Sequence, residues 1–311
     1  MYPRMSRFAA IDIGTNTLRM LVASRDRRGL HPVVRRRRIT GLGKSLRESG
    51  GIGDREFHES VAVLRDFRKE MDALGVKRYR ACGTAGLREA SNRDAFLLAS
   101  EGAGISVETI TAREEARLTW EGAAGRANER DRTVVMDIGG GSTEFIAGTG
   151  ERDSISLPIG VVVLLGSFRL SDPPLSAELK NIGFFLTERI SAGIRGWKRR
   201  TFQRMVGTAG TFTTLAALEM GMKKYRPERI DGFRMRLTAV RRWEARLAKM
   251  TNRQRLRLPG MEKGRERYIV PGVMQAVTGL SQFGMTNLHI SDSGLLEGIL
   301  KGIANGKGER Q

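Results

Sequence analysis

Asp12 and Asp137 each end an apolar run, and each is followed by a glycine turn that carries hydroxyls. The first turn is Gly14-Thr15-Asn16-Thr17 and the second is Gly139-Gly140-Gly141-Ser142-Thr143. A strand that ends in aspartate and turns through glycine is a phosphate device. Glycine lets backbone N–H groups approach an anion closely, and the hydroxyls add donors. One such turn would say little, because many hairpins are glycine-rich. Two, each preceded by Asp, form a pattern. If both grip one phosphoryl group, Asp12, Asp137 and Glu144 surround it. Bare carboxylates repel phosphate, so a hard cation should sit between them. Mg²⁺ fits, since it takes one or two carboxylates together with waters and phosphate oxygens. The competing reading is that these acids only cap turns.

The elements that must position these turns can be read from period and punctuation. Phe8–Ile13 reads as a buried strand and Leu18–Ala23 as its hairpin return. Thr133–Ile138 and Glu144–Ala147 repeat that form. A second motif also recurs: Cys82-Gly83-Thr84-Ala85-Gly86 is echoed by Val206-Gly207-Thr208-Ala209-Gly210. Asp12 and Asp137 are 125 positions apart, and Gly83 and Gly207 are 124 apart. Two different motifs in the same order and nearly the same register indicate an internal duplication, two copies of one α/β unit facing each other. Helices are expected at 54–74, capped by Asp54 and followed by Gly75, and at 111–124, opened by the capping-box pair Thr111 and Glu114. Further helices are expected at 176–195, 210–220 and 238–257. The polar run 126–132 reads as the link. It separates a first domain, 1–125, from a second, 126–311, whose last helix is able to pack back on the first.

A chain of 311 residues suits two domains. A hydrophobic fraction of 40% is enough for real cores and excludes a disordered chain. No run of 18 apolar residues exists, so no ordinary membrane-spanning helix is expected, and the N-terminus lacks a secretory signal's apolar stretch. The single cysteine, Cys82, fits a reducing cytoplasm and reads as a small core residue. His31, His58 and His289 are too far apart for a zinc spacing. The net charge of +20 comes mostly from 43 arginines, whose planar fork suits phosphate oxygens. Arg35–Arg38 reads either as a charged edge strand or as a polyanion contact. Residues 241–267 carry ten Arg or Lys against three Glu. That stretch is either a solvated face or a grip on a long anionic chain.

Taken together, these segments resemble the exopolyphosphatase/guanosine-pentaphosphate phosphohydrolase (Ppx/GppA) family, in its short two-domain form, over nearly the whole chain. The resemblance implies an α/β fold of two tandem ribonuclease-H-like (actin-like, ASKHA) domains with an active-site cleft between them. Asp12–Thr17 matches the family's first phosphate loop, with Thr15 and Thr17 where serine is usual. Asp137–Glu144 matches the second loop without departure and is the most specific motif in the chain. By this resemblance, Gly14, Thr15, Asn16, Thr17, Gly139, Gly140, Gly141, Ser142 and Thr143 hold substrate phosphates. Gly207 and Thr208 join them from the second Gly-Thr-Ala-Gly segment. Arg88 and Arg265 match arginines that reach the substrate, and Leu157-Pro158-Ile159-Gly160 also matches. Asp137, Glu144 and Asp12 are the implied metal ligands, with Mg²⁺ as the cofactor.

The family's catalytic base is a glutamate in a segment that here reads Glu114-Glu115-Ala116-Arg117, and alignment points to Glu115. The residues agree: Glu114 has the capping-box position, which leaves Glu115 to orient a water. Phosphoryl transfer depends mostly on position and charge neutralisation, so a carboxylate need only hold and polarise that water. A solvated first-turn glutamate is the commoner fate of such a residue. Arg267 departs from the family, standing where an acid is usual. So do Ser293 and Leu296 where arginines are common, and Gly166 where glutamate is often found. These touch the substrate channel and domain packing rather than the catalytic centre. The extra C-terminal helical domain of longer members is not expected.

The implied activity is release of terminal orthophosphate from inorganic polyphosphate, with Glu115, Asp137 and Glu144 catalytic. Hydrolysis of guanosine pentaphosphate stays open, because both substrates present a terminal phosphoanhydride. A sugar kinase or ATPase of the same superfamily would need an adenosine pocket, hinted at only by Gly207–Gly210. A non-catalytic polyanion- or RNA-binding module would leave the paired acidic loops unused. A cytoplasmic homodimer is expected from the family, with no membrane and no nucleic acid as partner.

Overall fold

Phe8–Ile13 is buried on both sides, and its alternation decides what covers each side. Ala9, Ile11 and Ile13 enter one hydrophobic cluster, while Phe8 and Ala10 enter another. That is the period of two expected of a central strand with helices on both faces. The computed structural model describes residues 6–27, 29–125, 132–148, 153–197 and 200–306. It divides into two units, one running to Gly122 and resuming at Leu295, the other Ala123–Gly294. Most of the expected link, 126–131, lies outside the described residues.

The first unit runs β1 (Arg7–Ile13), β2 (Thr17–Asp26), β3 (Gly29–Ile39), α1 (Leu46–Ser49), α2 (Asp54–Ala73), β4 (Arg78–Gly83), α3 (Ala85–Arg88), α4 (Arg93–Gly102), β5 (Val107–Thr109) and α5 (Ala112–Ala123). Its sheet has the order β3-β2-β1-β4-β5. The first three strands are antiparallel, and β4 and β5 run parallel to β1. The second unit contains β6 (Thr133–Ile138), β7 (Thr143–Ile146), β8 (Ser154–Leu157), α6 (Val161–Ser167), α7 (Ser176–Gly193), β9 (Arg204–Thr208), α8 (Ala209–Glu219), α9 (Pro227–Ile230), β10 (Arg234–Arg236), α10 (Leu237–Ala248), α11 (Asn252–Leu256), α12 (Ile269–Gln282) and β11 (Asn287–Ile290). Its order, β8-β7-β6-β9-β11, repeats the first, with β10 added antiparallel at the edge. Both units are therefore ribonuclease-H-like. The last helix, α13 (Leu295–Ala304), belongs to the first unit. It lays Leu295, Ile299 and Ile303 on Phe8, Ala10 and Cys82.

Three helix boundaries differ from the sequence reading. The helix expected at 238–257 is two, because Thr251 accepts from the Gln254 N–H and starts α11 afresh. The helix expected at 176–195 stops at Gly193 and tightens into a short turn over Ile194–Trp197. Gly53 is the N-cap of α2, and Asp54 lies inside its first turn. The arginine run 35–38 forms part of β3 at the sheet edge, where Arg36 pairs with Glu70 and Arg35 with Glu297. Among the described residues, no helix is long and apolar enough to cross a membrane.

Candidate active site

The second turn closes when the Gly139 N–H donates to the Ser142 carbonyl at 3.0 Å. The carbonyls of Gly139, Gly140 and Gly141 accept from Val161, Val162 and Gly160 at 3.0, 2.9 and 3.1 Å. The start of α6 thus holds the acceptor side of the turn. Gly160 permits this, since a Cβ there would lie 2.3 Å from the Gly140 oxygen. Among the described residues, the N–H groups of Gly140, Gly141 and Ser142 find no protein acceptor. Successive backbone donors of this kind form an anion nest.

Asp137 lies directly opposite Glu144 across β6 and β7. Facing residues of an antiparallel pair have Cβ atoms about 5 Å apart, and like charges there repel. Glu144 is buried, and its Oε1 accepts from the Ser156 hydroxyl at 2.8 Å. Two carboxylates beside a nest of donors suit Mg²⁺, which keeps several waters and shares substrate oxygens. Among the described residues, no three His, Cys, Asp or Glu gather into a metal cage. Thr143 needs correction: it is fully buried and its hydroxyl donates to Gln275 Oε1 at 2.5 Å, so that hydroxyl serves the core and not a phosphate.

The first turn has the same backbone. Gly14 donates to the Thr17 carbonyl at 3.0 Å. Gly43 donates to the Thr15 carbonyl at 2.7 Å, and Thr40 and Gly41 to that of Asn16 at 3.2 and 3.1 Å. Among the described residues, the N–H groups of Thr15 and Asn16 have no protein acceptor. The electrostatics differ. The residue facing Asp12 across β1 and β2 is Arg19, whose Nε donates to Asp12 Oδ2 at 2.8 Å. Asp12, expected among the metal ligands, is buried and clamped by this arginine.

The two Gly-Thr-Ala-Gly segments also carry out different tasks. Gly83 makes room for Leu87 and Gly207 for the Phe212 ring, where a Cβ would be 2.3 Å away. The Thr208 hydroxyl donates to the Ser293 carbonyl at 2.9 Å. Gly207 and Thr208, expected to hold phosphate, are thus taken up in packing and strand closure. Gly86 packs against Thr15, while Gly210 lies against the Arg265 guanidinium, where a Cβ would be 1.6 Å from Nη1. Ala209, just before Gly210, has φ +67°, a left-handed backbone that strains a residue with a side chain. Arg265 itself meets Glu262 at 3.5 Å.

Glu115 is in the first turn of α5. Thr111 caps that helix by accepting from the Glu114 N–H at 3.1 Å. Only this half of the expected capping box forms. The Glu114 carboxylate turns instead to Arg80, whose Nη2 donates to it at 2.6 Å. Arg80 also donates to Glu108 on β5. Burial works against its charge, but its hydrogen bonds to Glu114 and Glu108 more than compensate and hold the guanidinium above its ordinary range. Arg88 Nη1 donates to the Ile110 carbonyl at 3.0 Å and to Glu115 Oε2 at 3.3 Å. Its Nε and Nη2 have no protein acceptor among the described residues. Burial pushes the Cys82 thiol well up, in keeping with a core residue rather than a nucleophile.

The sequence reading missed Arg19 and Arg80. Both had a signal: each is a charge set inside a buried strand. Gly160 was named as part of a matching segment, but its place against Gly140 comes from the fold.

Fold and turns together define a phosphate-handling protein of the actin-like, ribonuclease-H type. The chain matches the model of the Ppx/GppA phosphatase family over residues 21–306. It is 32% identical over 317 aligned positions to exopolyphosphatase 2 of Mycobacterium tuberculosis, covering 96% of this chain and 99% of that protein. A crystal structure of the Aquifex aeolicus Ppx/GppA family member superimposes with a TM-score of 0.80 at 31% identity, over 97% of this chain and 98% of that one. An exopolyphosphatase from Cytophaga hutchinsonii gives 0.87 at 27% identity, over 97% and 99%. The chain belongs to the Ppx/GppA phosphatase family, and it is an enzyme that hydrolyses phosphoanhydride bonds.

Proposed function

We propose that this phosphohydrolase releases terminal orthophosphate from inorganic polyphosphate. The observation that carries the reading is the Asp137–Glu144 pair beside the N–H groups of Gly140, Gly141 and Ser142. Asp137 and Glu144 would hold Mg²⁺, which supplies charge neutralisation at the phosphoryl oxygens. Asp12 stands outside this set, because Arg19 already neutralises it. The backbone donors of both turns bind phosphate oxygens. Glu115 orients the attacking water and takes up its proton. Arg88 has one nitrogen on Glu115 and its Nε and Nη2 edge left for a phosphate. A rigid guanidinium used in this way sets the distance between base and phosphate. Arg265, seated on Gly210, steadies the substrate further along. The name of the Mycobacterium tuberculosis relative, an exopolyphosphatase, supports polyphosphate as the substrate.

The test is orthophosphate release from polyphosphate, guanosine pentaphosphate and ATP, each with and without Mg²⁺. Polyphosphate is expected to give the highest kcat/KM, and removal of the divalent ion to abolish release. A higher value for guanosine pentaphosphate would move the assignment to that nucleotide. Tight, salt-sensitive polyanion binding with no release would overturn the enzymatic reading.

A further inference from the structure

We propose that Arg80, which lies outside the expected site, is a positioning residue for Glu115 and acts through Glu114. The inference rests on the assignment of Glu115 as the group that orients water.

Arg80 is the third residue of β4 and is only 8% exposed. A charge inside a strand needs compensation, and two carboxylates supply it. One is Glu108 on β5, the other Glu114 on α5. The guanidinium therefore ties two strands to the first turn of a helix. Glu115 is the next residue on that helix, turned by about 100° from Glu114. Holding Glu114 against the sheet fixes the rotation of this turn, and with it the direction in which Glu115 leaves the helix. Arg88, eight residues after Arg80, holds Glu115 itself and the Ile110 carbonyl just before the cap. Two arginines from one strand–turn segment thus grasp two successive glutamates.

Folding alone does not explain the arrangement. A buried ion pair can often be exchanged for well-packed apolar residues at no cost in stability. An apolar side chain at position 80 would fill the same space without fixing α5 in rotation. Water-mediated attack is sensitive to such placement, and a misplacement of about 1 Å can cost about 100-fold in rate.

The experiment compares R80M, R80K and E114Q with the unmodified enzyme, with E115Q as reference. It measures kcat and KM for phosphate release, and thermal unfolding to establish that each variant folds. R80M is expected to lower kcat by about 30-fold and E114Q by about tenfold, with KM within about twofold of the unmodified enzyme. R80K keeps the charge and is expected to recover part of the loss. Folded E114Q and R80M with unchanged kcat, or with the loss confined to KM, would overturn the proposal. If R80M fails to fold, E114Q decides alone, since Glu114 is about a third exposed. E115Q separates this from the reading beneath it: near-normal turnover there sinks the assignment of Glu115, whatever Arg80 does.

Discussion

In both units the penultimate residue of a strand is aspartate, and the glycine two residues on donates to a carbonyl three positions ahead. In both, that turn's carbonyls are held by a distant backbone segment, and among the described residues the N–H groups at its tip have no protein acceptor. Yet the residue facing the aspartate is Arg19 in the first unit and Glu144 in the second. The same hairpin therefore sets an acid opposite an arginine in one copy and opposite a second acid in the other. In the second, the facing carboxylates repel each other, an arrangement that suits a cation between them. The two copies share the backbone donors and differ in the charge that faces the aspartate.

The most direct way to break this comparison is to make the second turn resemble the first. Glu144→Arg should set an arginine opposite Asp137, as Arg19 stands opposite Asp12. Phosphate release is then expected to fall about 1,000-fold, with the Mg²⁺ dependence lost and the fold retained. Rates across an Mg²⁺ titration would show whether the residual activity still responds to the ion.

The turns can also be compared through their supports. Alanine at Gly160 would meet the Gly140 backbone at 2.3 Å, whereas alanine at Gly43 would meet side chains, the Thr15 methyl at 2.4 Å and a Leu46 methyl at 3.0 Å. A side-chain end moves more cheaply than backbone does. Gly160→Ala is thus expected to cost about 100-fold in kcat/KM and Gly43→Ala about tenfold. Equal losses would mean that the two turns are equally tolerant.

Arg19→Leu tests the neutralised copy. It leaves Asp12 buried and without its arginine. Because the Arg19 side chain is 31% exposed, the expected cost is about 2 kcal/mol, below that of a fully buried pair, read from the denaturant midpoint. An unchanged midpoint would show that Asp12 needs no partner.

The smallest effect concerns a contact of the second unit, where Glu219 on α8 accepts from Trp243 and Arg242 on α10. Burial opposes its charge, but these bonds prevail and lower its pKa below the ordinary carboxylate range. A lowered pKa stabilises the fold above the unfolded-state value of about 4.3, and that contribution is lost as pH falls through the folded-state value. The stability gap between the native protein and Glu219→Gln should be open at pH 7 and close below about pH 4. A gap independent of pH would assign the effect to packing.

Much of the candidate site was legible in the sequence. The turns, their aspartates and the Gly-Thr-Ala-Gly segments declared themselves through glycine spacing, which is a local property of the backbone. Several side-chain roles were not. Thr143 and Thr208 looked like phosphate donors, but their hydroxyls go to Gln275 and to the Ser293 carbonyl, groups 132 and 85 positions away. Glu114 was read as closing its own capping box, and its carboxylate instead goes to Arg80, 34 positions earlier.

The amino-acid order by itself determined the strands, the turns and their repetition. These follow from apolar alternation and from glycine's freedom near φ values that other residues avoid, both of which act over a few residues. Tertiary structure decided which polar groups stay available for chemistry. A hydroxyl or carboxylate is spent or spared according to the partner that folding brings to it. That partner can come from any part of the chain, so no short stretch of residues contains the answer.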